Sequence, residues 1–195
     1  MFQGLPDPGF VGSPDKESLV TEPVLVPEAD AQLDLAQAAH DDIVAYVRDR
    51  FQSHDLARLV AAVLEAEGYS VHVSPAGPDG GADILAGRGP LGLDSPTLCV
   101  QVKATEAPSD VKTFRELVGT MDTFKADHGL LVCWGGFNRA LEREARQKIF
   151  RVRLWDQSDL VNAVYRTYEK LSPELQSELP LKRVWMRVRE ETGAE

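Results

Sequence analysis

Three side chains near the middle of the sequence have types and spacing suited to phosphodiester chemistry. Asp83 follows Gly80-Gly81-Ala82 at the head of a short apolar stretch, and Gln101 and Lys103 stand two apart in Val100-Gln101-Val102-Lys103-Ala104. Residues two apart on a strand share a face, so Gln101 and Lys103 project together while Val100 and Val102 turn to the core. If the two stretches pair, an acid, an amide and an ammonium group converge on one spot. Hydrolysis of a phosphodiester needs a cation on the phosphorus oxygens, a positioned water and help for the leaving oxygen. Asp83 would serve as metal ligand, Gln101 as a neutral polar aid and Lys103 as a cation beside the water.

The elements that must position these groups follow from periodicity and punctuation. Residues 1–29 hold Pro6, Pro8, Pro14, Pro23 and Pro27 among several acids and read as an extended arm. Residues 30–52 read as an amphipathic helix and linker, from Leu33, Leu35, Ala38, Ile43, Val44 and Val47 at helical spacing. A second helix runs from His54 to Glu67, with Leu56, Leu59, Val60, Val63 and Leu64 on one stripe and Gly68 as its stop. Strands follow at 69–73, 82–86 and 98–104, with a glycine-rich turn at 75–81 and a long hairpin connection at 88–96. A helix at 109–125 with Ser109 as N-cap leads to an apolar strand at 129–134, a helix at 138–148, a strand at 151–155 and a helix at 157–170. The order predicts an α/β fold with an αβββαβ core, a mixed central sheet flanked by helices, antiparallel on one side and parallel on the other. Residues 53–170 form the expected domain and 171–195 an extension.

Charge divides unevenly along the chain. The net charge is −10 over 195 residues, and residues 1–50 carry −7 of it, ten acids facing Lys16, Arg48 and Arg50. Arg139, Arg143 and Arg146 recur at helical spacing and make one basic face, for which DNA contact and plain solvation are equally compatible readings. The overall acidity argues against tight nonspecific DNA binding without excluding DNA. With no apolar run of about 18 residues and no basic-then-apolar leader, neither a membrane span nor a secretory signal is expected, and the cytoplasm is the expected location. Cys99 and Cys133 lie inside apolar strands and read as inert core thiols. His54 and His72 read as surface or capping histidines, since no ligand spacing accompanies them.

The ordered segments resemble the PD-(D/E)XK nuclease superfamily and, in particular, the Mrr-like type IV restriction endonucleases. The segments are Gly77-Pro78-Asp79-Gly80-Gly81-Ala82-Asp83-Ile84, similar to G-x-D-G-G-x-D; then Pro90-Leu91-Gly92-Leu93-Asp94; then Val100-Gln101-Val102-Lys103, similar to the Q-x-K strand. The resemblance covers about residues 53–165 and implies a restriction-endonuclease-like fold, cleavage of double-stranded DNA with Mg2+ (Mn2+ substituting) and, often, recognition of modified bases. Carried over, Asp83 is the principal metal-binding acid, Lys103 orients or activates water, Gln101 takes the place of a second acid and the Val102 carbonyl completes the metal shell. Asp79 has two open roles, turn former or additional metal ligand. One site per domain and two strands to cut imply a homodimer or larger assembly.

Two departures from the family pattern stand out. The first helix usually offers a Glu where this chain has Ala57, and Asp55 lies two positions earlier, facing another way. After the strand at 129–134 the family often has Thr and Ser, where this chain has Cys133-Trp134-Gly135-Gly136; the two glycines offer backbone N–H groups instead. The departures leave a second function in view, an Mrr-like fold that has lost cleavage and binds DNA or a protein partner.

Overall fold

The computed structural model describes residues 28–75 and 81–185. Asp79 and nearly all of the 1–29 arm lie outside the described residues. Helix α1 spans Glu28–Arg50 and helix α2 His54–Ala66. Strands β1 (Ser70–Val73), β2 (Ile84–Arg88) and β3 (Asp94–Lys103) follow, then α3 (Val111–Phe124), β4 (His128–Cys133), α4 (Arg139–Arg146), β5 (Val152–Trp155) and α5 (Gln157–Thr167). A 3-10 turn at Tyr168–Lys170 leads to a last helix, α6, at Pro173–Glu178.

The five strands form one mixed sheet in the order β1-β2-β3-β4-β5. β1, β2 and β3 pair antiparallel, and β3, β4 and β5 pair parallel through the crossover helices α3 and α4. Both crossovers advance in the same direction across the sheet, so right-handed connections put both helices on one face. The pleat then sorts the side chains. Ile84, Val100, Leu130 and Val132 join Val60, Leu64, Leu160 and Val164 in the core under α1, α2 and α5. Cys99, Leu131 and Cys133 join Phe114, Leu117, Met121 and Leu141 under α3 and α4. Each fully buried side chain of this size stabilises the fold by about 1.5–3 kcal/mol. The α/β architecture expected from the element order is the one observed.

Local details differ from the sequence reading for identifiable reasons. The N-cap of α3 is Asp110, whose carboxylate accepts from the Thr113 N–H at 3.1 Å. Ser109 is drawn into a parallel bridge with Phe137, its N–H donating to the Gly136 carbonyl and its own carbonyl accepting from Asn138. β3 begins at Asp94, four residues earlier than the periodicity placed it, because its first turn's worth of chain pairs only with β2. Beyond residue 170, Leu171, Leu175 and Leu179 are buried in the same core as α2 and α5, and the Arg58 guanidinium bonds Glu178 at 2.6 Å. Among the described residues no helix is long and apolar enough to cross a membrane.

Candidate active site

Asp83 sits where the antiparallel pair opens. Its N–H donates to the Val100 carbonyl at 2.9 Å and its carbonyl accepts from Ser74 at 2.9 Å, so its backbone is tied to β3 on one side and to the end of β1 on the other. Its carboxylate Oδ2 accepts from the Val102 N–H at 2.6 Å, just past the end of the β2 ladder. Three ties leave the half-buried carboxylate little freedom. Gly81, two residues earlier, takes φ +89, and a Cβ there would press on the Thr120 hydroxyl, so glycine is needed for the approach to Asp83.

On β3, the register Lys103↔Cys133 together with the bond from Trp134 N–H to the Lys103 carbonyl directs the backbone of Lys103 toward β4. In a parallel ladder neighbouring residues face opposite sides, so the Val102 backbone turns toward β2 and Asp83. Gln101 and Lys103 alternate with the buried Cys99 and so project on the α3 face of the sheet, with Asp83 at the adjoining strand end. The buried Cys99 thiol is pushed up to about 11 by burial first and by the nearby Asp83 charge second. Cys133 is pushed to about 11 by burial, with the Ser109 hydrogen bond and the Lys103 charge acting the other way. Gln101 lies between Cys99 and Lys103 on that face. Both thiols are therefore protonated near neutral pH and inert, as expected of core cysteines.

A cavity of about 520 Å³ opens at this end of the sheet. It is lined by Asp83, Val102, Lys103 and Glu106 and, from α1 and the start of α2, by Arg48, Gln52, Ser53, His54 and Ala57. Gln101 stays behind the wall, only 6% exposed, and its Oε1 is buried with no hydrogen-bond partner. A buried carbonyl oxygen without a donor carries a desolvation cost that a cation or a reoriented water would relieve. The oxygens on the cavity include the Asp83 carboxylate, the Glu106 carboxylate, which pairs with Arg48 at 3.8 Å, and the β2-facing carbonyl of Val102, all hard donors of the kind magnesium accepts. Among the described residues no group of three or more His, Cys, Asp or Glu side chains is placed to hold a metal ion.

The family model described as restriction endonuclease, Mrr_cat, matches residues 48–164, a stretch that takes in every described residue of this cavity. The chain belongs to the restriction endonuclease family. Among solved structures, the DNA modification-dependent restriction endonuclease AspBHI superposes with TM-score 0.54 at 15% identity, over 72% of this chain and 38% of that one. This restriction endonuclease domain thus spans well under half the length of AspBHI. MspJI restriction endonuclease in complex with a 27-mer oligonucleotide matches with TM-score 0.43 at 19% identity, over 88% of this chain and 40% of that one. A crystal structure of AF1548, a protein of unknown function, matches with TM-score 0.44 at 14% identity, over 64% and 75% of the two chains. A comparison with curated protein sequences gives no match.

One sequence reading changes in this restriction endonuclease fold, that of the glycines after β4. Ala57 does line the cavity, but Asp55 is exposed, does not line it and instead pairs with Arg58 at 3.5 Å. Gly135 and Gly136 offer no free N–H groups: Gly135 donates to the Thr105 carbonyl and Gly136 to Cys133, both at 3.0 Å, and α4 starts later, capped by Asn138. Arg139, Arg143 and Arg146 are exposed, on the side of α4 away from buried Leu141 and Ala145, and none lines the Asp83 cavity. His54 and Arg48 also line the cavity, which the sequence reading did not anticipate. The signal for His54 was its spacing of three from Ala57, which puts both on one face of α2.

Proposed function

We propose that this chain is the nuclease domain of a metal-dependent endonuclease that hydrolyses phosphodiester bonds of double-stranded DNA, modified DNA included, in restriction and defence. The observation that carries the reading is the meeting of Asp83, the Val102 backbone and Lys103 on one cavity in a chain of the restriction endonuclease family. Asp83 and the Val102 carbonyl would hold Mg2+, with Mn2+ able to substitute, and the Gln101 amide oxygen is the nearest further donor on β3. The bound cation would draw charge from the scissile phosphate and favour ionisation of the attacking water. Lys103 Nζ donates to that water, aims its lone pair at phosphorus and stabilises the negative charge left as its proton departs to solvent. One carboxylate binds magnesium weakly, so phosphate oxygens of the substrate complete the shell, and affinity for the ion rises when DNA is present. Cutting both strands takes two such domains, hence a homodimer or larger assembly as the working form.

The test is nicking and linearisation of supercoiled plasmid, methylated and unmethylated, in Mg2+ or Mn2+. Asp83→Asn keeps an acceptor for the Val102 N–H and is expected to lower cleavage by about 10³-fold or more, with Lys103→Ala losing about 10²–10³-fold. Full activity in both variants would defeat the site assignment. A wild-type chain that binds duplex DNA yet leaves it uncut would support the rival reading, a binding module in which Ala57 marks lost catalysis.

A further inference from the structure

Helix α4 presents Arg139, Arg143 and Arg146 as one exposed stripe, on the side opposite buried Leu141 and Ala145. The chain has a net charge of −10, and arginines elsewhere find acids: Arg48, Arg50, Arg58, Arg115, Arg151 and Arg183 each pair with a carboxylate. Among the described residues none of the three α4 guanidiniums forms an ion pair. Of the two acids on α4, Glu144 turns to α3, where its oxygens accept from the Arg115 guanidinium at 2.9 and 2.8 Å. Only Glu142 is left on the helix beside the stripe. Three arginines against one acid make a locally basic strip in an acidic chain.

The stripe begins at the same end of the sheet as the cavity. β3 and β4 run parallel with Lys103 beside Cys133, so α4 starts only a short loop beyond the residue that neighbours Lys103. That loop is tied to the one leaving β3: the Ser109 N–H donates to the Gly136 carbonyl at 2.9 Å and the Asn138 N–H to the Ser109 carbonyl at 3.0 Å. Asn138 then caps α4, its side chain accepting from the Leu141 N–H at 2.9 Å, and Arg139 is the first helical residue. From Arg139 to Arg146 the helix rises about 10 Å. One strand of a duplex offers a phosphate about every 3.4 Å of its axis, so the stripe has the length of about three phosphates in a row. The planar fork of arginine suits phosphate oxygens taken two at a time.

Resting on the nuclease reading, we propose that the α4 stripe is the surface that holds the duplex flanking the cut, with Arg139, Arg143 and Arg146 each on a backbone phosphate. Such contacts read no base, so they set affinity and position on the duplex and leave sequence preference to other groups. The acidity of the rest of the chain works with them. A surface that repels DNA elsewhere and attracts it along one strip orients the duplex as it arrives.

The experiment measures binding of the full chain to two labelled duplexes of unrelated sequence by fluorescence anisotropy across a range of KCl, with EDTA present so that neither is cut. Arg143→Gln should lower the slope of log affinity against log salt by about 0.9, and the triple variant Arg139→Gln, Arg143→Gln, Arg146→Gln by about 2.7, alike on both duplexes. Arg166→Gln is the control. It removes the same single charge from an exposed arginine of α5 that also lacks an ion pair among the described residues, and it should leave the slope unchanged. In Mg2+ the triple variant should need more DNA for half-maximal nicking yet keep its saturated rate within about threefold of wild type. An unchanged slope in the triple variant would overturn the assignment, and so would equal effects of Arg166→Gln and Arg143→Gln, which would make net charge alone the cause. Either result, with wild type still binding and cutting, sinks this inference and spares the nuclease reading. A wild type that bound neither duplex and nicked no plasmid would sink both.

Discussion

β3 has an aspartate at each end, and each carboxylate accepts a main-chain N–H of that strand. At the start, Asp127 Oδ2 accepts from the Thr97 N–H at 2.8 Å; at the finish, Asp83 Oδ2 accepts from the Val102 N–H at 2.6 Å. There the likeness stops. Asp127 also accepts from the Ser95 hydroxyl at 2.9 Å and the Thr97 hydroxyl at 3.1 Å, while its own N–H donates back to Thr97 Oγ1 at 3.0 Å. These donors, the Thr97 N–H foremost, hold its carboxyl below the usual carboxylate range. Asp83 instead lines an open cavity that Lys103 also lines, with no second protein donor on its carboxylate among the described residues. The same local bond closes a structural corner at one end and holds out an unfinished ligand at the other. What differs is the supply of hydroxyls.

The sharpest way to break this comparison is to neutralise both acids. Asp83→Asn is expected to lose about 10³-fold in cleavage, whereas Asp127→Asn should stay within about twofold of wild type at neutral pH. Asp127→Asn should show its effect in stability. A carboxyl held low in the folded state contributes stability that is present above its unfolded value of about 3.9 and is lost as pH falls through the folded value. Urea melts should therefore find wild type more stable than Asp127→Asn at pH 7 and the gap closing toward pH 2. A gap that widened in acid would reverse the assignment.

The two ends of β4 allow the next comparison. A methyl added at Gly135, just past the strand, would run into the Glu106 and Ala107 carbonyls, backbone that walls the cavity end. One added at Gly129, the second residue of the strand, would meet the Met121 sulfur, the far end of a flexible side chain. Gly135→Ala is expected to cost about 2–3 kcal/mol and Gly129→Ala about 1 kcal/mol or less, read from denaturant midpoints. Equal costs would mean that the segment around Glu106 yields as easily as a methionine, and that the cavity end is not rigidly shaped.

How far the sequence revealed this depended on whether a feature was local. α2 and the Gln101/Lys103 strand were legible because a stripe of leucines and a two-residue alternation are carried by consecutive residues. Asp83 was legible as an acid at a glycine turn; that its carboxylate caps Val102 depends on where β2 stops pairing, which periodicity does not encode. α6 escaped notice because six residues give too little period, although Ser172 before Pro173 is a capping signal and Leu171, Leu175 and Leu179 are spaced by four. His54 was read as a surface or capping histidine and is exposed at the start of α2; that it also lines the Asp83 cavity depends on the folded chain, which local spacing does not encode. Gly135 and Gly136 suggested free N–H groups, yet the loop from Thr105 to Ser109, distant in sequence, lies close enough to shape the same corner and takes the Gly135 N–H.

The smallest effect concerns backbone strain. Among the described residues two non-glycine positions have positive φ, Ser53 at the cavity and Lys125 at the end of α3 beside Asp127. Lys125, at φ 56 and ψ 33, is an ordinary left-handed helix cap whose N–H bonds the Met121 carbonyl. Ser53, at φ 48 and ψ −115, belongs to no region that L-residues favour and has no cap bond to offset it. Such positions cost about 1–3 kcal/mol, and glycine relieves the strain while adding freedom to the unfolded chain worth about 0.5–1 kcal/mol. Ser53→Gly should therefore raise stability by about 0.5–1 kcal/mol, and Lys125→Gly should change it by less than about half that. If the strain shapes the cavity that Ser53 lines with Asp83, Ser53→Gly should also cut more slowly despite its higher melting temperature, and Lys125→Gly should not. A Ser53→Gly chain that is both more stable and fully active would mean that the strained turn contributes nothing to the site.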